Sequence, residues 1–170
     1  KNLMRQYPDV NIISDSNEIF NNPEIDAVAV VTPSHTHYKI VKRAIESGKH
    51  VYVEKPISTV AEEAKVLTEL AESKGLVLMV DHLLLYHPAV NRLKMLIEEG
   101  VLGELVYAQS DRLNVNYHKN DRSVMWDLAP HDVSMIAYVT GKNPVKVISA
   151  IGCSSDRNDI MDITHIGVEF

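Results

Sequence analysis

The sequence predicts an α/β fold: a parallel sheet crossed by helices, followed by an α+β domain built on a mostly antiparallel, open sheet. Three observations carry this. Apolar, β-branched runs at Ala27 to Val31, His50 to Val53 and Leu76 to Val80 alternate with helix-patterned stretches, the rhythm of right-handed βαβ crossovers. Beyond Asp81-His82 the rhythm changes, and strand patterns at Val145 to Ile151 and Ile163 to Phe170 follow one another without a helix between them. Each of the first three runs ends in polar residues, Thr32-Pro33, Glu54-Lys55 and Asp81-His82, which should line one edge of the sheet, where open α/β sheets take their ligands.

Taken in order, Lys1 to Tyr7 reads as the tail of a helix and Val10 to Ile13 as a short strand. Ser14 or Asp15 can cap a helix to about Phe20, broken by Asn21-Asn22-Pro23. Tyr38 to Ser47 sets Ile40, Val41, Ala44 and Ile45 on one helical face, with Gly48 as the stop. Thr59 and Glu62 fit a capping box for a helix running to about Ser73. Pro88 suits the first turn of a helix ending near Gly100. Leu105 to Leu113 alternates as a partly exposed strand would, Asn114 to Ser123 is a polar loop, and a helix starting near Asp127 runs to Thr140 and closes at Gly141. The domain boundary falls at Leu83 to Pro88, giving domains 1–86 and 87–170.

Composition is that of a globular domain: 170 residues, 45% hydrophobic and 24% charged. A net charge of -6 argues against a broad nucleic-acid surface. No apolar run is long enough for a membrane span. Cys153 is the single cysteine, so no internal disulfide can form, and a reducing cytoplasm is expected. The chain opens without an initiator methionine and closes within a strand pattern, so it is expected to be an internal piece of a longer protein.

Lys55 is the first candidate for chemistry. A stiff strand ends there, and Pro56 biases it towards an extended conformation, leaving one ammonium at a crevice mouth. The alternative is a Lys-Pro turn that merely closes the strand. Asp127 and His131, four apart, share a face if the helix has begun, and such a pair suits a histidine base oriented by a carboxylate. The alternative is an N-cap and a surface histidine. His35, His37, His82, His87 and Asp81 match no compact metal-ligand spacing, so no metal is expected. Ser34, Ser58 and Ser123 lack nucleophile-elbow surroundings. Lys39, Lys42 and Arg43 read as a solvated helix face. No glycine-rich phosphate loop occurs; in a dinucleotide-binding domain it would lie upstream of Lys1.

In sequence order, Thr32-Pro33-x-x-x-His37, Glu54-Lys55-Pro56 and Asp127-x-x-x-His131 resemble the Gfo/Idh/MocA oxidoreductases along essentially the whole chain. The resemblance implies that the first domain is the second half of a Rossmann-type sheet binding NAD or NADP, and the second a substrate and oligomerisation domain. It implies that Thr32, Pro33 and Ser34 border the adenosine and pyrophosphate of the cofactor, with His37 of the same motif on the cofactor side, and that Glu54 touches the nicotinamide ribose. Lys55, also beside the cofactor, would hold the reacting hydroxyl. His131 would take its proton, with Asp127 orienting it or binding the sugar.

The implied activity is oxidation of a secondary hydroxyl of a sugar, cyclitol or nucleotide sugar. A non-catalytic, ligand-sensing regulator on the same fold is the alternative. The implied partners are a small-molecule substrate and further copies of the chain, as a dimer or tetramer, with neither nucleic acid nor membrane. Many members carry Gly-Phe-Asn and an arginine where this chain has Asp81-His82-Leu83-Leu84. The wording of Trp126 to Asp132, Arg112-Leu113-Asn114 and Tyr86-His87-Pro88 looks most like branches acting on nucleotide sugars, such as UDP-N-acetylglucosaminuronate 3-dehydrogenases. Without a phosphate cradle, these 170 residues alone are expected to be inactive or nearly so.

Overall fold

Three short parallel strands, β1 (Ala27–Val30), β2 (His50–Val53) and β3 (Leu78–Val80), lie in the order β1-β2-β3. The computed structural model describes residues 6–113, 123–154 and 162–170. It divides into two compact units, Lys1–Val80 and Asp81–Phe170.

In the first unit the register sets Val28, Val51 and Leu78 in one row and Val30, Val53 and Val80 in another. Both rows face the core, which they share with Val41, Ala44 and Ile45 of α2 (His37–Glu46) and Leu67 and Ala71 of α3 (Ala61–Ser73). Period-2 alternation sends Ala29 and Tyr52, with Met79, to the other face, where Ala29 and Met79 are exposed. β1 therefore buries only one of its faces among the described residues, although its uninterrupted apolar run reads as buried on both. Gly48, at a φ of 76°, makes the left-handed turn from α2 into β2 without a Cβ penalty. Lys49 beside it is 6% exposed, and its Nζ donates to the carbonyl of Asn22 at 2.6 Å.

Two expectations fail in this unit. Val10 to Ile13 is not a strand: the stretch is irregular and exposed, with no ladder partner among the described residues. Thr59 and Glu62 do not form the start of α3. Val60 occupies the N-cap without a side-chain bond, and Ser58 takes the role from one turn earlier. Its hydroxyl accepts from the Val60 amide at 3.0 Å and donates to the Glu63 carboxylate. Upstream, α1 (Asn17–Phe20) begins two residues after Asp15, whose carboxylate accepts from the Asn17 amide at 2.9 Å. The helix tail expected over Lys1 to Tyr7 lies largely outside the described residues.

The second unit opens with a 3-10 turn, Leu83–Tyr86, and α4 (Pro88–Glu98), where Pro88 does start the helix and the His87 ring caps it by accepting from the Ala89 amide at 3.2 Å. α4 packs on α5 (Val124–Thr140): Lys94 Nζ donates to the Tyr138 carbonyl at 3.2 Å, and the Tyr138 hydroxyl donates to Asn91 Oδ1 at 2.7 Å. Asn91 in turn donates to the Leu85 carbonyl at 3.2 Å, fixing the 3-10 turn. β4 (Lys146–Cys153) and β5 (Ile163–Glu169) pair antiparallel, with a register shift between Val147 and Ser149.

Here too the sequence misleads twice. Leu105 to Leu113 forms no strand; it is exposed throughout, Leu113 at 92%, and has no partner strand among the described residues. α5 begins at Val124 rather than near Asp127, so Pro130 stands inside the helix and not in its first turn. The loop expected over Asn114 to Ser123 lies almost wholly outside the described residues.

Candidate functional site

The register of the parallel sheet brings the ends of β1, β2 and β3 level at Val30, Val53 and Val80. The Glu54 amide still donates to the Val30 carbonyl at 3.0 Å, so the two chains separate only beyond this point, into Thr32-Pro33-Ser34 on one side and Glu54-Lys55-Pro56 on the other. Thr32 and Pro33 are exposed and Ser34 is half-buried; a 3-10 turn, Ser34–Thr36, leads from them into α2. Thr36 braces this loop: its hydroxyl donates to the Pro33 carbonyl at 2.7 Å and shares a 2.7 Å hydrogen bond with the Thr32 hydroxyl. Glu54 and Lys55 are half-buried, and the Lys55–Pro56 peptide is cis.

His37 differs from the other residues of this edge. It is 1% exposed, with Nδ1 2.7 Å from the Pro56 carbonyl oxygen and Nε2 2.8 Å from the Thr32 carbonyl oxygen. Carbonyl oxygens only accept, so a neutral ring donates to one of them and a protonated ring to both. Both polar atoms of the ring face main chain, which leaves none to reach a cofactor directly. The residue the motif assigns to the cofactor side stands behind the loops that would make that contact.

In the second unit, Asp127 and His131 lie one turn apart on α5, 5% and 8% exposed. Because the helix starts at Val124, Asp127 is inside its first turn rather than at its N-cap, and the i, i+4 spacing puts both side chains on one face. The reading of His131 as a surface histidine is thereby excluded. Asp132, next in sequence, was not singled out by the sequence, yet its carboxylate accepts from Arg112 Nε at 2.9 and 2.8 Å and from the Ser110 hydroxyl at 2.7 Å. These bonds fasten the exposed 105–113 segment to the helix that carries His131. His82, which the sequence sets with Asp81 after the third strand pattern, has a buried Nδ1 with no hydrogen-bond partner among the described residues. No three histidine, cysteine or acidic side chains gather as a metal site would need, again among the described residues. No described helix is long and apolar enough to cross a membrane.

The edge of the first unit suits a dinucleotide. Three parallel strand ends stand level, an exposed hydroxyl-bearing loop leaves the first, and a carboxylate and an amine leave the second. Residues 2–82 match the GFO/IDH/MocA family model described as an oxidoreductase family with an NAD-binding Rossmann fold, and residues 90–170 match the GFO/IDH/MocA C-terminal domain. The chain belongs to the GFO/IDH/MocA oxidoreductase family. Among relatives, it is 38% identical over 134 residues to an uncharacterized oxidoreductase, YdgJ, of Escherichia coli, covering 74% of this chain and 39% of that protein. It is 34% identical over 140 residues to a UDP-N-acetylglucosamine 3-dehydrogenase of Acidithiobacillus ferrooxidans, covering 81% of this chain and 43% of the relative. The oxidoreductase yvaA of Bacillus subtilis superposes with a TM-score of 0.83 at 27% identity, over 99% of this chain and 50% of its own. The chain thus spans half or less of the length of each of these relatives.

Proposed function

We propose that the full-length protein is an NAD(P)-dependent dehydrogenase that oxidises a secondary hydroxyl of a sugar, cyclitol or nucleotide sugar. The observation that carries this is membership of the GFO/IDH/MocA family over both of its domains in a chain that keeps Lys55 at a strand end and Asp127 with His131 on one helical face. When bound, the nicotinamide supplies the hydride acceptor. The chain's own residues do the rest. Thr32, Pro33 and Ser34 border the adenosine and pyrophosphate, and Glu54 meets the ribose. The Lys55 ammonium donates to the reacting hydroxyl oxygen and stabilises the negative charge that grows there. His131 removes the hydroxyl proton, and Asp127 orients the ring and favours the imidazolium that forms. A hydride leaves carbon only as the neighbouring oxygen gives up its proton, which is why a base and a cation must converge on one oxygen. Both NAD and NADP are open to it, and a homo-oligomer is the assembly we infer.

The test is Lys55→Ala in the full-length protein, assayed against a panel of sugars, cyclitols and nucleotide sugars. Turnover should fall on the order of a hundredfold or more while the cofactor still binds. Undiminished turnover would remove Lys55 from the chemistry. Cofactor binding with no turnover of any panel member by the unmodified protein would instead favour a regulator.

A further inference from the structure

We propose that His37 is a positioning residue, whose one imidazole fixes both the Thr32-Pro33-Ser34 loop and the Lys55 ammonium, so that cofactor contact and substrate-oxygen contact are set together. The inference rests on the roles given above to that loop and to Lys55. The ring stands on the first residue of α2, and its two nitrogens face carbonyl oxygens of two separate loops, Thr32 after β1 and Pro56 after β2, with an N–H on at least one of them. Other bonds hold each loop to its own surroundings. Thr36 knits Thr32 to Pro33, and Ser58 holds the chain after Pro56 to the start of α3. The imidazole ties the near sides together across the edge. Lys55 is bonded directly to Pro56, so the carbonyl that His37 holds lies one residue from the amine. At 1% exposure the ring has no surface to offer a ligand, and it acts only through these two carbonyls.

An apolar side chain of similar shape would fill the same volume but bring no N–H to either carbonyl. The loops could then move independently by fractions of an ångström, and misplacement on that scale costs reaction rate steeply. Core filling and positioning are therefore separable by substitution. His37→Phe keeps the volume and removes the ring's N–H donors; His37→Gln keeps a side-chain N–H.

In the full-length protein, His37→Phe should raise the cofactor dissociation constant about tenfold and lower kcat on the order of tenfold to a hundredfold. His37→Gln should recover part of both losses. With Lys55→Ala already in place, His37→Phe should lower kcat no further yet still weaken cofactor binding, because there is no amine left to misplace. The proposal is overturned if His37→Phe leaves the dissociation constant and kcat unchanged, if its kcat loss appears in full on the Lys55→Ala background, or if neither variant folds by circular dichroism. Full turnover in Lys55→Ala strikes at the role of Lys55 and not at the clamp. The clamp is then judged by the cofactor dissociation constant alone, and an unchanged constant in His37→Phe overturns it.

Discussion

His82 shows what a single residue can reveal about pH. Burial holds its imidazole below the usual range, against the weaker upward pull of the Asp81 charge. The native state thus resists a proton that the unfolded chain accepts near a pKa of about 6.5. Its stabilising contribution is complete above that value and is lost as the pH falls from there through the lower value of the folded ring. The melting temperature of the full-length protein should therefore drop as the pH falls below about 6.5, and drop less in His82→Phe; parallel curves for the two proteins would assign the loss to other groups. The sequence made some residues legible and hid others. The position of Lys55 just past a strand end was legible because a strand and a proline bracket it, and the shared helical face of Asp127 and His131 because four-residue spacing survives any small error in where the helix starts. The anchors of His37 were not, because its two acceptors are main-chain atoms, one of them across the edge on another loop, and carbonyls leave no trace in side-chain pattern. Asp132 was hidden for the opposite reason: its partner Arg112 sits in a segment whose alternation reads as a strand.

Among the elements, the interiors of the first unit were readable and the ends were not. β2 falls on the predicted residues, since Val51 and Val53 must be inside whatever covers them. The start of α3 was misassigned because Thr59-x-x-Glu62 has the right letters for a capping box, while Ser58 and Glu63 actually meet. Ser58→Ala should cost about 1 kcal/mol by removing both bonds of that hydroxyl, read as a lower urea midpoint with an unchanged slope. A midpoint equal to the parent's would mean that α3 starts without its help. Pro130 misled in a different way. Proline favours a first turn, but its missing amide costs one hydrogen bond, and a 17-residue helix packed on α4 can carry that loss. At Leu105 to Leu113 alternation is present without a partner strand among the described residues, and a strand needs a second chain segment to pair with.

For the molecule as a whole, the order of parts was more legible than any part. The parallel triplet, the change of pattern after Asp81 and the antiparallel pair all stand where the sequence sets them, because hydrophobic period and connection length act over whole segments. The structure divides at Val80, the last residue of β3, where the sequence put the border at residue 86. Lys49 gives the first unit a built-in gauge of its integrity. Its amine is enclosed against the Asn22 carbonyl, whereas Lys65 stands in solvent. Reductive methylation of the native full-length protein should mark Lys65 within minutes and leave Lys49 bare, as read by peptide mass spectrometry, with equal labelling ruling the enclosure out. Every methyl group that later accumulates on Lys49 would then count an excursion in which this unit came apart, a clock for local opening that needs no substrate, no cofactor and no assay of the reaction.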